Sequence, residues 1–165
     1  MAFQIPEGLH SDLNPLAWLV GTWRGKGRGD YPGTEPFEFE QEVTFSHDGR
    51  PFLTYFSRTW IIDEKGEILK TSASETGFWR VKPKNQLEVI LAHSTGIAEG
   101  WVGIFDGPRI QLVLDHGYSA PSAKVVEEGQ RLYGLVDGEL FFSYDMAHGG
   151  KKLQAHVWST LPRVR

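Results

Sequence analysis

Few side chains in this sequence are placed to do chemistry. There is no cysteine, so a thiolate-held metal and a disulfide framework are excluded, and any metal must be held by His, carboxylate or carbonyl. Gly-x-Ser-x-Gly and His-Glu-x-x-His are absent, and the scattered Ser, His and Asp residues mark out no nucleophilic triad. Glu38, Glu40 and Glu42 alternate as paired catalytic carboxylates would. The stretch that carries them, Phe37-Glu38-Phe39-Glu40-Gln41-Glu42-Val43-Thr44-Phe45, reads instead as a strand with a solvated outer face.

Six histidines remain. His10 and His148 fall at a helix entry or in a loop, and His47, His93 and His116 near strand ends, where solvated or hydrogen-bonded imidazoles are expected. His156 lies in the middle of the last strand, Leu153-Gln154-Ala155-His156-Val157-Trp158-Ser159-Thr160-Leu161. Its spacing leaves two readings open: a core or surface histidine, or a metal ligand in an apolar interior. No other His stands at a zinc-site spacing from it. A single neutral imidazole is sufficient for a haem iron, because the porphyrin supplies the other four nitrogens. Strict alternation puts His156 on one face with Gln154, Trp158 and Thr160, which is not decisively apolar.

A second signal is Gly21-x-Trp23-x-Gly25-x-Gly27, running on through Gly29 to Tyr31-Pro32. Small residues at alternate positions bare one face of a strand, so that the backbone can bend, cross a neighbour closely or let a flat ligand approach. Trp23, on the same face, is suited to closing one end of a barrel while its indole N–H finds a carbonyl. A phosphate-binding loop needs Gly-x-Gly-x-x-Gly between a hydrophobic strand and a helix, and neither context is present.

The elements that must position these groups are mostly strands. Asn14-Pro15 fits an N-cap followed by Pro at the first helical position, so one short helix is expected before the first strand. Turn signals such as Asp48-Gly49, Lys65-Gly66 and Asp137-Gly138 then recur at strand-length intervals. They delimit strands at 19–30, 36–46, 52–62, 68–81, 86–93, 96–105, 109–115, 123–136, 139–147 and 152–161. The connections are too short for helical crossovers, which predicts antiparallel up-and-down order and closure into an all-β barrel of about ten strands. A two-sheet sandwich is the alternative, with longer Greek-key connections. Trp23, Phe37, Phe39, Tyr55, Trp60, Phe78, Trp79, Trp101, Phe142 and Trp158 all fall in these strands, as core packing or as walls of an occupied interior.

Composition bounds the rest. A chain of 165 residues is read as one domain, 1–165, able to bury roughly 70% of its unfolded surface. Seventeen Lys and Arg against 21 Asp and Glu, formal charge −4, with the basic residues scattered, argue against a nucleic-acid partner. No apolar run approaches the ~20 residues of a membrane span and no signal-like start is present, so a cytoplasmic protein is expected.

Seven ordered blocks resemble the nitrobindin family. They are Gly21 to Gly27, Tyr31-Pro32 with Pro36-Phe37, Pro51 to Tyr55, Glu75 to Phe78, Leu91-Ala92-His93, Ala120 to Lys124, and Leu153 to His156. The resemblance implies a ten-stranded barrel like fatty-acid-binding proteins and lipocalins, holding ferric haem b at its open end. It implies His156 as the axial ligand and the residue on which catalysis depends, and Lys124, otherwise a plain surface lysine, as partner of a haem propionate. Trp23, Gly25, Gly27 and Thr34 are implied as further haem neighbours. Relatives commonly carry Thr directly after Tyr-Pro, where this chain has Gly33, with Thr34 one position later. Many also carry His where this chain has Ala73. The implied activity is isomerisation of peroxynitrite to nitrate, with nitric oxide binding, and the implied partners are small reactive nitrogen species, in a monomer or homodimer. A non-catalytic carrier of haem or another apolar ligand, and a nitric oxide sensor, are the alternatives.

Overall fold

The computed structural model describes residues 4–164. Its strands are β1 (Gly21–Gly29), β2 (Phe37–Ser46), β3 (Phe52–Ile62), β4 (Ile68–Lys82), β5 (Gln86–His93), β6 (Ile97–Asp106), β7 (Arg109–Ser119), β8 (Val126–Val136), β9 (Glu139–His148) and β10 (Gln154–Leu161). Each pairs antiparallel with the next, and β1 closes the barrel against β10. Short turns leave sequential neighbours no other choice, and closure removes both exposed edges. The expected strands are all present. The largest displacement is at β7, which runs on to Ser119 although apolar alternation fades at Asp115-His116-Gly117. A bulge opposite Gly100 and Trp101 lets it keep pairing with β6 there.

The helix differs from expectation. It is a 3-10 helix, Ser11–Leu19, that begins ahead of Asn14 and contains Pro15. His10, not Asn14, caps it, its Nδ1 accepting from the Asp12 N–H at 3.2 Å. Three residues per turn stack Leu13, Leu16 and Leu19 on one side, and all three are fully buried as a plug in one end of the barrel.

Above the plug the interior is solid. Trp23 is buried, its indole N–H donating to the Leu19 carbonyl at 2.9 Å, as expected of a tryptophan closing one end. The Arg163 guanidinium lies 4.0 Å over the Trp23 ring and donates to the Trp18 and Val20 carbonyls at 2.6 and 2.7 Å, tying the chain's end to the plug. Trp79 stacks edge-on against Phe45 and Tyr133 at 5.2 and 4.9 Å. Outside, Glu42 pairs with Arg24 and Arg58, and both guanidiniums cover Trp60 at 5.0 Å, so these carboxylates belong to the outer face.

At the other end the barrel loosens. β7 and β8 pair only through Arg109–Val113 and Gln130–Gly134, leaving their remaining halves apart around the segment that carries Lys124. No helix among the described residues is long and apolar enough to cross a membrane.

Candidate functional site

A partly open cavity of about 190 Å³ occupies this looser end, with Phe37, Phe39, Val157, Lys124 and His156 on its lining. His156 reaches it through a local irregularity. In β10 the inward residues are Val157, Ser159 and Leu161, so strict alternation would turn His156 outward. A β-bulge between Ala155 and Val157 leaves His156 without a partner in β9, and both it and Val157 line the cavity. The face expected from alternation, with Trp158 and Thr160, is thereby corrected. The same residue's carbonyl accepts from the Asp30 N–H at 2.8 Å, fixing the bulge against the end of β1.

The imidazole is surrounded by ring edges. Tyr31, Tyr144 and Phe37 approach with centroids at 5.5, 5.9 and 6.5 Å. Its Nδ1 is buried and without a hydrogen-bond partner. Burial pushes the ring down to about 4, the Lys124 ammonium adds to the effect, and the Asp30 backbone opposes it. A neutral imidazole with a free lone pair is what a metal ligand requires. Among the described residues no group of three or more His, Cys, Asp or Glu converges to hold a bare ion. His156 thus offers a single donor, which suits a metal that brings its other ligands with it.

Lys124 is exposed as a residue, but its ammonium sits at the cavity mouth against Met146 Sδ at 3.5 Å. Desolvation there lowers its pKa, and the Glu99 charge works the other way. The Ser119 hydroxyl donates to the Lys124 carbonyl at 2.8 Å and pins the segment.

The opposite wall is charged, and reasoning from sequence missed it. Arg131, its side chain 1% exposed, binds Glu75 through both oxygens at 2.6 and 2.9 Å. Tyr55 donates to the same carboxylate at 2.6 Å. Burial alone would raise Glu75, but the Arg131 charge and these hydrogen bonds hold it at about 2. The guanidinium packs over the Trp101 and Tyr144 rings at 4.8 and 4.9 Å. His93 lies between Glu75 and the buried Glu99. The signal for this wall was alternation itself: His93 continues the inward series Leu87, Val89, Leu91, and Glu99 stands between inward Ile97 and Trp101.

Of the residues singled out in sequence, His156 and Lys124 meet at this cavity, and Ala73 lines it as well. Trp23, Gly25, Gly27 and Thr34 are not on its lining. Trp23 belongs to the closed end. A Cβ on Gly25 would lie 2.5 Å from the Thr160 carbonyl oxygen, and one on Gly27 would meet the Trp158 carbonyl and lie 2.5 Å from Phe39 Cζ. The bare stripe thus lets β1 cross β10 closely and seats the Phe39 ring, itself a cavity wall. Thr34 is exposed, its hydroxyl donating to the Tyr31 carbonyl at 2.8 Å within a turn.

Comparison with known proteins agrees with the barrel architecture. Residues 12–163 match the family model described as THAP4-like, heme-binding beta-barrel domain. A protein of Nocardioides sp. named peroxynitrite isomerase is 47% identical over 163 residues, 99% of this chain and 99% of that one. A ferric nitrobindin-like protein of Streptomyces griseus is 40% identical, covering 98% of this chain and 86% of its own length. Among solved structures, that of Rv2717c from M. tuberculosis superposes with a TM-score of 0.84 at 40% identity, covering 95% of this chain and 99% of the other.

Proposed function

The chain belongs to the THAP4-like, heme-binding β-barrel family, the nitrobindins, and on that footing we propose that it is a haem-dependent peroxynitrite isomerase whose iron is held by His156. The observation that carries the reading is a single neutral imidazole, set by a bulge on the lining of a partly open cavity with its Nδ1 unpartnered. With no cysteine to tether it, the porphyrin is held without covalent bonds, as haem b.

His156 would hold the iron through an imidazole nitrogen, and burial keeps the ring unprotonated. Lys124 at the mouth acts as a flexible point charge toward a propionate. Phe37, Phe39 and Val157 form the apolar wall against the macrocycle and exclude water. Ferric haem held there would supply the iron chemistry for isomerising peroxynitrite to nitrate and for binding nitric oxide. A fatty-acid-like cargo fits less well, because the far wall is polar, carrying Arg131, Glu75, His93 and Glu99 where an alkyl chain would lie.

An absorption titration of the haem-free protein with ferric haem tests the assignment. Saturable one-to-one uptake with a Soret band that is lost in His156→Ala is expected. Wild-type uptake and spectrum in that variant overturn it.

A further inference from the structure

Three buried polar side chains interrupt the apolar inward series on one side of the barrel, and holding haem gives them no task. Gln41 on β2 stands between inward Phe39 and Val43, Ser57 on β3 follows inward Leu53 and Tyr55, and Ser159 on β10 stands between Val157 and Leu161. Each is 3% exposed. Ser159 and Gln41 belong to strands separated by β1, where Gly27 pairs with Ser159 and Gly25 with Gln41. The missing side chains at these two positions let the pair meet across β1, with Ser159 Oγ 2.7 Å from Gln41 Oε1. Gln41 Nε2 in turn lies 3.0 Å from Ser57 Oγ.

The two lengths fix the direction of this chain. The shorter suits a hydroxyl donating to oxygen and the longer an amide N–H donating to oxygen, so Ser159 donates to the Gln41 carbonyl and the Gln41 amide donates to Ser57. Two hydrogens are left over, the hydroxyl hydrogen of Ser57 and the second N–H of Gln41. Among the described residues neither has an acceptor. Gln41 and Ser57 are both on the cavity lining and Ser159 is not, so the chain ends at the cavity in two adjacent donors. A buried donor without an acceptor lowers stability, and a guest that supplies the acceptors removes that cost. The charges facing the cavity come in opposing pairs: Arg131 is bound to Glu75, and the Lys124 ammonium at the mouth faces the charge of Glu99, to which His93 is hydrogen-bonded. An entering anion therefore meets no excess of negative charge, and it gains more from such donors than a neutral acceptor does.

We propose that Gln41 and Ser57 form a subsite for a small planar oxyanion, with Ser159 as the residue that positions the Gln41 amide. Two adjacent donors match two coplanar oxygens of one guest. Nitrate, the product in the peroxynitrite reading, is an anion of this class. The choice of nitrate rests on that reading, whereas the donor pair does not.

Titration of the full haem-free chain with nitrate, at an ionic strength held constant with chloride and followed in proton–nitrogen correlation spectra, tests the proposal. The Gln41 side-chain amide signals are expected to shift saturably with nitrate and not with chloride alone. Ser57→Ala removes one hydrogen bond to a charged guest and is expected to weaken nitrate binding about tenfold, while Ser57→Thr, which keeps the hydroxyl, retains it. Ser159→Ala is expected to weaken binding as well and to move the Gln41 amide signals before any nitrate is added. No saturable shift in the wild type, equal shifts with chloride, or unchanged affinity in a folded Ser57→Ala overturns the proposal. Because no haem takes part, these outcomes are separate from haem uptake through His156, whose failure overturns the preceding reading alone.

Discussion

Replacing Glu75 by Gln strips Arg131 of its counter-charge at a side chain only 1% exposed. Removing one partner of a buried ion pair costs about 3–5 kcal/mol, because the other charge is left in low dielectric. A separate route gives a similar figure. The Glu75 carboxyl falls from 4.5 to about 2, and at about 1.4 kcal/mol per pH unit its ionised form contributes about 3 kcal/mol to folding. The sign follows from the depressed folded value: the contribution is complete above 4.5 and disappears as pH falls toward 2. A protonated Glu75 has nearly the shape and charge of Gln, so the two proteins should converge in acid. Urea unfolding of the haem-free proteins, followed by tryptophan fluorescence, measures this. With a slope of about 2 kcal/mol/M, the midpoint of Glu75→Gln should lie about 1.5–2.5 M lower near neutral pH, with the gap narrowing steadily below about pH 4.5. A gap under about 1 kcal/mol at neutral pH, or one that does not change with pH, would refute the argument.

Three further substitutions probe the two ends of the barrel. Gly27→Ala drives a methyl against the Trp158 carbonyl and the Phe39 ring, which should cost about 1–3 kcal/mol by overpacking and weaken haem uptake as Phe39 moves into the cavity. Gly100→Ala, where the nearest atom is 4.0 Å away, should change stability by less than about 0.5 kcal/mol in the same urea unfolding. Arg163→Ala removes two hydrogen bonds to the plug and the cover over Trp23. At a partly exposed site this should cost about 1–2 kcal/mol and leave the Soret spectrum unaltered.

The strands were legible because polar-apolar alternation and turn residues are local signals, and the barrel followed from connections too short to cross a sheet. The plug was read as starting at Asn14 because Asn-Pro is a strong helix-start pattern, whereas a 3-10 helix tolerates Pro15 inside it and is capped by His10. The facing of His156 was not legible, since a bulge adds a residue to one strand and reverses the parity that follows. The glycine stripe is compatible in sequence with a bend, a close crossing or room for a flat ligand, and the structure shows close approach by the β10 backbone and Phe39. The charged wall escaped notice for another reason. Glu75, His93, Glu99 and Arg131 lie on four different strands, so the ion pairing that makes burial tolerable exists only once the sheet has closed.

The central claim is that His156 equips this barrel to convert peroxynitrite to nitrate. Rapid mixing of the ferric haem-loaded protein with peroxynitrite, with nitrate and nitrite quantified afterwards, tests it most directly. Decay that accelerates in proportion to holoprotein, with nitrate as the dominant product and no acceleration by His156→Ala under the same haem concentration, is the result expected. Decay at the spontaneous rate in the presence of fully loaded wild type would contradict it.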